Sequence, residues 1–303
     1  MPGSVPFTLR TLAWLLRRSL VAAFDDGCFS IAKGAAYSAL LSFFPVLTSA
    51  AAILVQTRAQ FVSSTLERFL SVVVPPGTED LVVRQFRVSG ARPAALLVVA
   101  GLISLWAASS VVKSLMEGFQ AAYRIPRNRG FFHRSGVAVA LVLLSIIPLL
   151  AASTLILFGT DVERAMFRAV RRDPLNPPVW VWLWASRGSR FAIAVGTMTL
   201  LTALLYYFGP YRRQRWKFVW PGAILATVLW LACTSGFGWY VRHMGSYNVM
   251  YGSIGAGIAL LVWMYLLAAI ALIGCEFNAE YERGIASVNA RPPQPALDPA
   301  SRG

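Results

Sequence analysis

The sequence predicts an all-α, polytopic membrane protein with six transmembrane helices and additional amphipathic interfacial helices. A helix rises ~1.5 Å per residue, so roughly 20 residues cross a ~30 Å hydrocarbon core. Hydrophobic residues make up 57% of the chain and charged residues only 14%, which favours helices buried in lipid over a soluble core. Six stretches of this length or longer lack Lys, Arg, Asp and Glu, namely Gly34–Thr57, Pro93–Val112, Ser135–Thr160, Phe191–Tyr211, Phe218–Val241 and His243–Cys275.

These stretches predict three parts. Residues 1–33 form a cytoplasmic amphipathic helix, residues 34–276 form one six-helix transmembrane domain, and residues 277–303 form a largely disordered cytoplasmic tail. The first part would lie on the cytoplasmic leaflet through a single apolar face. At helical spacing that face consists of Leu9, Leu12, Leu16, Leu20 and Phe24.

The first span carries small and polar residues on one stripe. Gly34, Ser38 and Ser42 follow at four-residue intervals, and small residues let helices approach closely in lipid. Pro45 removes the amide donor to the Leu41 carbonyl and should kink the helix. Two interpretations stay open: a packing seam with a tolerated kink, or a polar path lined by hydroxyls and the freed carbonyl.

The two longer loops, on the side opposite the termini, also have a pattern. Residues 58–92 contain an apolar stripe at helical spacing, which predicts amphipathic helices over the mouth of the bundle. Residues 161–190 end in a proline cluster followed by alternating tryptophans, which is typical of an interface anchor. The prolines are Pro174, Pro177 and Pro178, and the tryptophans are Trp180, Trp182 and Trp184.

The sixth span begins with small residues that predict close helix packing. These residues are Gly252, Ser253, Gly255, Ala256 and Gly257. At its other end, Glu276 could pair with Arg124 or Lys33, or bind a proton or a cation. An acidic group at a helix C-terminus is unfavourable, so we expect a compensating cation nearby.

A candidate functional path runs along the first span and emerges inside near the end of the sixth. Lys33 and Glu276 both fall near the cytoplasmic interface, so a contact between them is geometrically possible. Charge is costly at the bilayer centre, which makes these two residues gate or coupling candidates rather than a central binding site. The candidate residues are Lys33, Tyr37, Ser38, Ser42, Pro45, Glu276 and Asn278.

The distribution of basic residues predicts the orientation. With six spans, the loops 113–134 and 212–217 share a side with both termini and hold nine Lys or Arg in 28 residues. The opposite loops hold twelve in 75 residues. The positive-inside rule therefore places both termini in the cytoplasm, where the basic loops meet anionic lipid headgroups. Membrane lipids are thus the expected partners, rather than nucleic acid, and the oligomeric state does not follow from the sequence.

No pattern of catalytic or metal-binding residues stands out. A hydrolase needs clustered carboxylates or a pair of histidines, but His133 and His243 fall on opposite sides of the membrane in this topology. The cysteines Cys28, Cys233 and Cys275 lack the spacing of a metal or redox motif. We therefore expect no cofactor, no metal and no enzymatic activity.

Several segments resemble the YihY/BrkB family of bacterial inner-membrane proteins, with a match over roughly residues 10–285. The resemblance implies an integral plasma-membrane protein. It also points to transport of lipid or envelope components and to serum resistance, to which family members have been linked; the family once carried a ribonuclease label. The matching segments are Ala32–Pro45, Trp106–Ser109, Asn128–Phe131, Trp220–Ala223, Tyr251–Ala256, Trp263, Tyr265 and Gly274–Glu280.

Two functional hypotheses remain. A transporter or translocator of a lipid, envelope component or small solute would have a cavity between the kinked first and third spans. A non-transporting scaffold or assembly factor would pack the same helices shut. The proline and serines of the first span favour transport, and a nucleotide-binding motif is absent, so any energy would come from a gradient or a partner.

Overall fold

The chain folds into helices throughout the residues that the structure, a computed structural model, describes: 9–56, 94–125, 130, 132–148, 179–212, 214–243 and 245–289. No strand occurs within these ranges, which confirms the predicted all-α class. The helices are α1 (Leu9–Asp25), α2 (Cys28–Gln56), α3 (Ala94–Ala122), α4 (Phe132–Pro148), α5 (Val179–Phe208), α6 (Trp216–His243) and α7 (Gly245–Asn289).

The membrane-spanning character of the bundle is also confirmed. Within the described ranges, five helices (α2, α3, α5, α6 and α7) are long and apolar enough to cross a bilayer. The shorter apolar α4 begins the predicted third span, whose remainder lies outside the described residues. The amphipathic stripe of the first long loop and the proline cluster of the second lie outside them too. The alternating tryptophans fall within the first turns of α5, upstream of the predicted start of the fourth span.

Helix α7 is the centre of the bundle. It contacts α1, α2, α3 and α6, while α2 also packs along α3 and α5 packs along α6. One buried core cluster joins six of the helices around the second half of α7. Its largest members include Phe119 of α3, Tyr206 of α5 and Leu272 of α7, with alanines from α1, α2 and α6 filling the space between. A smaller cluster further along joins Ala36 of α2 to Leu260, Trp263 and Met264 of α7.

The closest helix approach occurs where α6 crosses α7. A Cβ built on Gly222 would lie 2.0 Å from the Gly274 carbonyl oxygen, and one on Gly274 would lie 2.8 Å from the Gly222 carbonyl oxygen. Neither position therefore tolerates a side chain. The predicted packing stripe was wrong at Gly34 and Gly257, where an added Cβ meets no atom of the described residues within 4 Å. Gly255 is buried and Ala256 half-buried, while the side-chain surroundings of Gly252 and Ser253 lie outside the described part of the chain.

Helix α1 packs on the bundle through one face, and Leu20 and Phe24, from the apolar face predicted to meet the leaflet, lie away from that contact. Leu15, Ser19 and Ala23 are buried, whereas Leu20 and Phe24 are 47% and 75% exposed. The reason is steric, because the small residues Ser19 and Ala23 let α1 approach α7 closely. The larger apolar side chains are left on the outer side of α1, where a bilayer would cover them.

The predicted domain boundaries also need correction. Helix α2 begins at Cys28, so the first span starts inside the segment that was assigned to the N-terminal helix. Helix α7 continues through Asn289, with Phe277 and Ala279 buried, so residues 277–289 are ordered and only 290–303 lie outside the described residues. The last turns of α7 are therefore part of the packed bundle.

Substituting Gly222 by alanine should destabilise the folded protein by about 1–3 kcal/mol, because the new methyl group overlaps the α7 backbone. Gly236→Ala is the matched control on the same helix, since a Cβ there meets no atom of the described part of the chain within 4 Å. It should be neutral or stabilising by up to about 1 kcal/mol through helix propensity. Thermal unfolding in detergent checks both variants, and equal midpoints would contradict the close α6–α7 crossing.

Candidate functional site

Charged side chains from five segments meet at one end of the bundle, which we call the termini end because α1 and the last turns of α7 lie there. Arg18 of α1 pairs with Glu280 of α7. Arg124, just after α3, pairs with Asp26 in the turn between α1 and α2. Arg212, after α5, pairs with Glu282. The segments after α3 and α5 therefore lie at the same end of the bundle as α1 and the last turns of α7, and the side of the membrane that this end faces stays a prediction.

Glu276 lies at the centre of this end and is completely buried. Its Oε1 accepts a hydrogen bond from the Cys28 thiol across a sulfur–oxygen distance of 3.6 Å. Its Oε2 has no hydrogen-bond partner among the described residues. A thiol is the weakest of the common protein donors, so this carboxyl group is poorly compensated for its loss of water.

The arginines around Glu276 are bound to other groups. Glu280 forms ion pairs with both Arg18 and Arg283. Arg283 also donates a hydrogen bond from Nη2 to the Ala122 carbonyl at 2.5 Å. Arg124 faces Asp26, with an Nε–Oδ2 distance of 3.4 Å. The expected pairing of Glu276 with Arg124 was therefore wrong. We name Asp26, Glu276 and Glu280 the carboxylate cluster, and within the described residues Glu276 is its member without an ion pair.

The expected contact between Lys33 and Glu276 was also wrong. Helix α2 turns Ala32, Ala35 and Ala36 towards the bundle, where they are buried. Lys33 and Tyr37 lie on the opposite face and are exposed, Tyr37 by 61%. Cys28, one turn before Ala32 on the buried face, is the α2 residue that reaches Glu276.

The polar groups of the first span meet α3 near the middle of the bundle. Ser104 Oγ lies 2.8 Å from the Pro45 carbonyl oxygen and 2.7 Å from Ser49 Oγ. Ser104 Oγ also lies 2.8 Å from the Ala100 carbonyl oxygen of its own helix, so the two carbonyls compete for its single hydrogen. In the hydrogen bond between Ser104 and Ser49 either hydroxyl can be the donor. Ser42 donates to Ala39 within its own helix at 2.9 Å, and Ser38 is half-buried.

Asn278 joins α7 to the first turns of α6. Its Oδ1 accepts the Gly222 amide at 2.6 Å, and its Nδ2 donates to the Val219 carbonyl at 2.9 Å. Both partners lie beside Pro221, where the helical hydrogen-bond pattern loses a donor. These hydrogen bonds give Asn278 a structural role in joining α6 to α7. Its place on the functional path stays a prediction.

Tyr123, just beyond α3, borders the cluster. Burial, followed by the nearby Cys275 and Glu282, raises the pKa of its hydroxyl, although Arg212 acts in the opposite sense. The Arg212 guanidinium lies 5.0 Å from the centre of the Tyr123 ring, a cation–π contact. The hydroxyl therefore stays protonated at physiological pH.

The sequence predicted Glu276 as a candidate site residue but did not predict its neighbours. Cys28 was interpreted as an apolar filler, and the ion pairs of Glu280 were not anticipated. The four-residue spacing of Glu276 and Glu280, which places both carboxylates on one face of α7, was the available signal. Among the described residues, no group of three or more His, Cys, Asp or Glu is placed to hold a metal ion.

Apolar helices of spanning length around a buried charged cluster define an integral, multi-pass membrane protein. A family model described as "Virulence factor BrkB" matches residues 20–298, and the chain belongs to this family. The family expectation from the sequence motifs is thereby confirmed.

Curated relatives share about a quarter of the residues. A "Putative ribonuclease-like protein YfkH" of Bacillus subtilis is 27% identical over 80% of this chain and 86% of the relative. A "UPF0761 membrane protein" of Alkalilimnicola ehrlichii is 25% identical over 84% of this chain, which spans only 55% of that relative. Another of Tolumonas auensis is 24% identical over 80% of this chain and 77% of the relative. No solved structure matches the chain.

Replacing Asn278 by leucine should destabilise the bundle by about 1–3 kcal/mol, because the Gly222 amide and Val219 carbonyl lose their buried partner. Thr202→Val is the control, since among the described residues the Thr202 hydroxyl bonds only to the Met198 carbonyl of its own helix. Its effect should stay within about 1 kcal/mol. Denaturant unfolding in mixed micelles measures the difference, and equal stabilities for the two variants would argue against the Asn278 bridge.

Proposed function

We propose that this protein translocates a lipid, an envelope component or a small solute across the bacterial inner membrane. The observation that carries the proposal is the buried Glu276 carboxyl group, whose Oε2 is without a partner among the described residues. Ionisable groups inside membrane bundles are costly, and they are characteristic of transport paths and coupling sites. A protein selected only for packing gains nothing from burying such a group.

The position of Glu276 supports a coupling role rather than a substrate-binding role. It lies where α1, the start of α2 and the end of α7 are held together by the ion pairs of Asp26 and Glu280. A change of charge at this position would act on several helices at once. Transport proteins need such a link between an ion and the closure of one end of the path.

The proposed translocation path lies beside α2 and α3. The Pro45 carbonyl, Ser49 and Ser104 place polar atoms between these two helices at mid-bundle depth. Ser38 and Ser42 lie between this group and the termini end on α2. The proposal keeps these residues as the polar side of the path and assigns Lys33 and Tyr37, which face outwards, to the lipid boundary.

We also propose where the protein lies in the membrane and which lipids it contacts. Both termini are cytoplasmic, and the basic residues of the termini end meet anionic headgroups of the inner leaflet. The uneven charge of the loops supports this orientation, because basic loops are retained on the cytoplasmic side. Exposed apolar residues on α1, including Trp14 and Phe24, support contact with lipid.

The protein is proposed not to be an enzyme. The name of the Bacillus relative contains "ribonuclease-like", whereas the UPF0761 relatives are named only as membrane proteins. His133 lies at the termini end near Tyr211, and His243 lies at the opposite end of α6. They are separated by most of the length of the bundle, so they do not form an acid–base pair.

Glu276→Gln should abolish or strongly reduce the movement of envelope lipid or solute in a cell assay. The abundance of the protein should stay normal, because the amide has the shape of the carboxyl group but cannot gain or lose a charge. Lys33→Gln is the control and should leave movement unchanged, since Lys33 faces away from the bundle. Normal movement with Glu276→Gln would favour the scaffold role instead.

Arg215→Cys should be protected from a membrane-impermeant thiol reagent in whole cells and should react once the cells are permeabilised. The reason is the predicted cytoplasmic position of the turn 212–217. The native cysteines are replaced in the same background to remove their signal. Labelling of intact cells from outside would reverse the proposed orientation.

A further inference from the structure

We propose that the Glu276 carboxyl group is a proton-binding site, occupied while the termini end is closed, and that loss of this proton loosens the closure. The inference rests on the proposed coupling role and names the coupling ion. The first observation concerns the arginines that pair with this cluster among the described residues. The carboxylate cluster shares three arginines, and each of them is bound to Asp26 or Glu280.

A proton fits the free oxygen of Glu276 better than a metal cation does. Hard cations take six or more oxygen ligands in proteins. The neighbour that contacts Glu276 is the Cys28 thiol, a poor ligand for such ions, and the described residues hold no set of three ligand-type side chains suitable for a metal. A proton needs only one oxygen, and Oε2 offers it.

The hydrogen bond from Cys28 is compatible with both forms of the carboxyl group. With the proton on Oε2, Oε1 still accepts from the thiol. When the proton leaves to water, a carboxylate remains, and Oε1 keeps the same donor. The exchange therefore breaks and forms only the Oε2–H bond and needs no other reactant.

Charge explains how the proton would control closure. Glu280 lies one helical turn from Glu276 on the same face of α7, and Asp26 lies two residues before Cys28, which contacts Glu276. An ionised Glu276 therefore repels both carboxylates. Asp26 sits in the turn between α1 and α2, and Glu280 holds α1 through Arg18. Repulsion therefore acts between α7 and the two elements that pack on it at this end.

Neighbouring elements contribute other titratable and charged groups that face this site. Arg283 partly offsets the repulsion, but both of its terminal nitrogens are already bound, to Glu280 and to the Ala122 carbonyl. Among the described residues these groups are Arg18 of α1, Asp26 of the turn, Cys28 of α2, Arg124 after α3, and Cys275, Glu280 and Arg283 of α7.

Infrared difference spectra of the full chain in lipid nanodiscs test the proton directly. The wild type should show a protonated-carboxyl band that persists at neutral pH and disappears under alkaline conditions. The band should be lost in Glu276→Gln and retained in Glu282→Gln, a control that removes an acid of the same helix that pairs with Arg212. Absence of any band that depends on Glu276 would overturn the proton site.

Reaction of the buried thiols Cys28 and Cys275 with a maleimide tests the closure. Rates are normalised to those of the same chain unfolded in SDS, which removes the intrinsic effect of pH on thiols. The wild type should become severalfold more reactive as the pH rises, while Glu276→Gln, which resembles the neutral form, should stay protected. If the rates show no dependence on pH, the link between proton and closure is wrong.

The wild-type chain supplies a further measurement that does not depend on whether the variant folds. A folded state that binds one more proton than the unfolded state loses stability as the pH rises, so its thermal midpoint should fall across neutral pH. A flat or rising midpoint would contradict the proposal. All three measurements omit substrate, so a failure here is distinguishable from a failure of the translocation proposal, which the cell assay decides.

Discussion

The crossing of α6 and α7 at Gly222 and Gly274 is the contact on which the rest of the bundle depends. With no side chain at either position, the two backbones approach to a distance that no other residue permits. This approach brings Asn278 within reach of the first turns of α6, and it brings the Tyr206 hydroxyl within 2.6 Å of the Ala271 carbonyl. Helix α7 is thereby fixed against α5 and α6, and it offers its other side to α1, α2 and α3.

Many polar groups of the described residues are satisfied locally, as a bilayer core without water requires. Serine and threonine hydroxyls bond to carbonyls one turn earlier in their own helices, as Ser19 and Ser145 do, or to a partner on the next helix. Thr199 of α5 and Thr227 of α6 form such a pair at 3.1 Å. Within the described residues, buried atoms of Arg134, Gln214 and Glu280 also lack a hydrogen-bond partner, but Glu276 is the member of the carboxylate cluster that has no ion pair either. Unpaired buried groups of this kind in a folded protein tend to have a functional cause.

The sequence predicted the helices well, because long stretches without charge have few alternatives to spanning a bilayer. The helix ends were less certain, since α2 and α7 both extend beyond their charge-free runs. Packing faces were the weakest part. Small residues such as Gly257 and Gly222 look alike in a sequence, and only the crossing geometry decides which of them has a neighbour.

The site was partly predictable for a similar reason. Glu276 stood out because it is a carboxylate at the end of an apolar helix, but its complete burial was not predicted. Its partner could not be chosen from the sequence, because Lys33 and Cys28 both lie near the start of α2 and differ only in which face they occupy. That difference depends on the rotation of α2, which alanine packing against α7 sets.

The central position of α7 has a consequence for biosynthesis. A ribosome makes the chain from the N-terminus, so α1 to α6 are made before the helix on which four of them pack. The Ser49–Ser104 pair can form as soon as α2 and α3 are inserted, but the Gly222 amide must wait for Asn278. Until α7 arrives, the early helices lie in the bilayer as loosely associated pairs, exposed to quality-control proteases. Truncation before residue 278 would leave the nascent bundle in that state permanently.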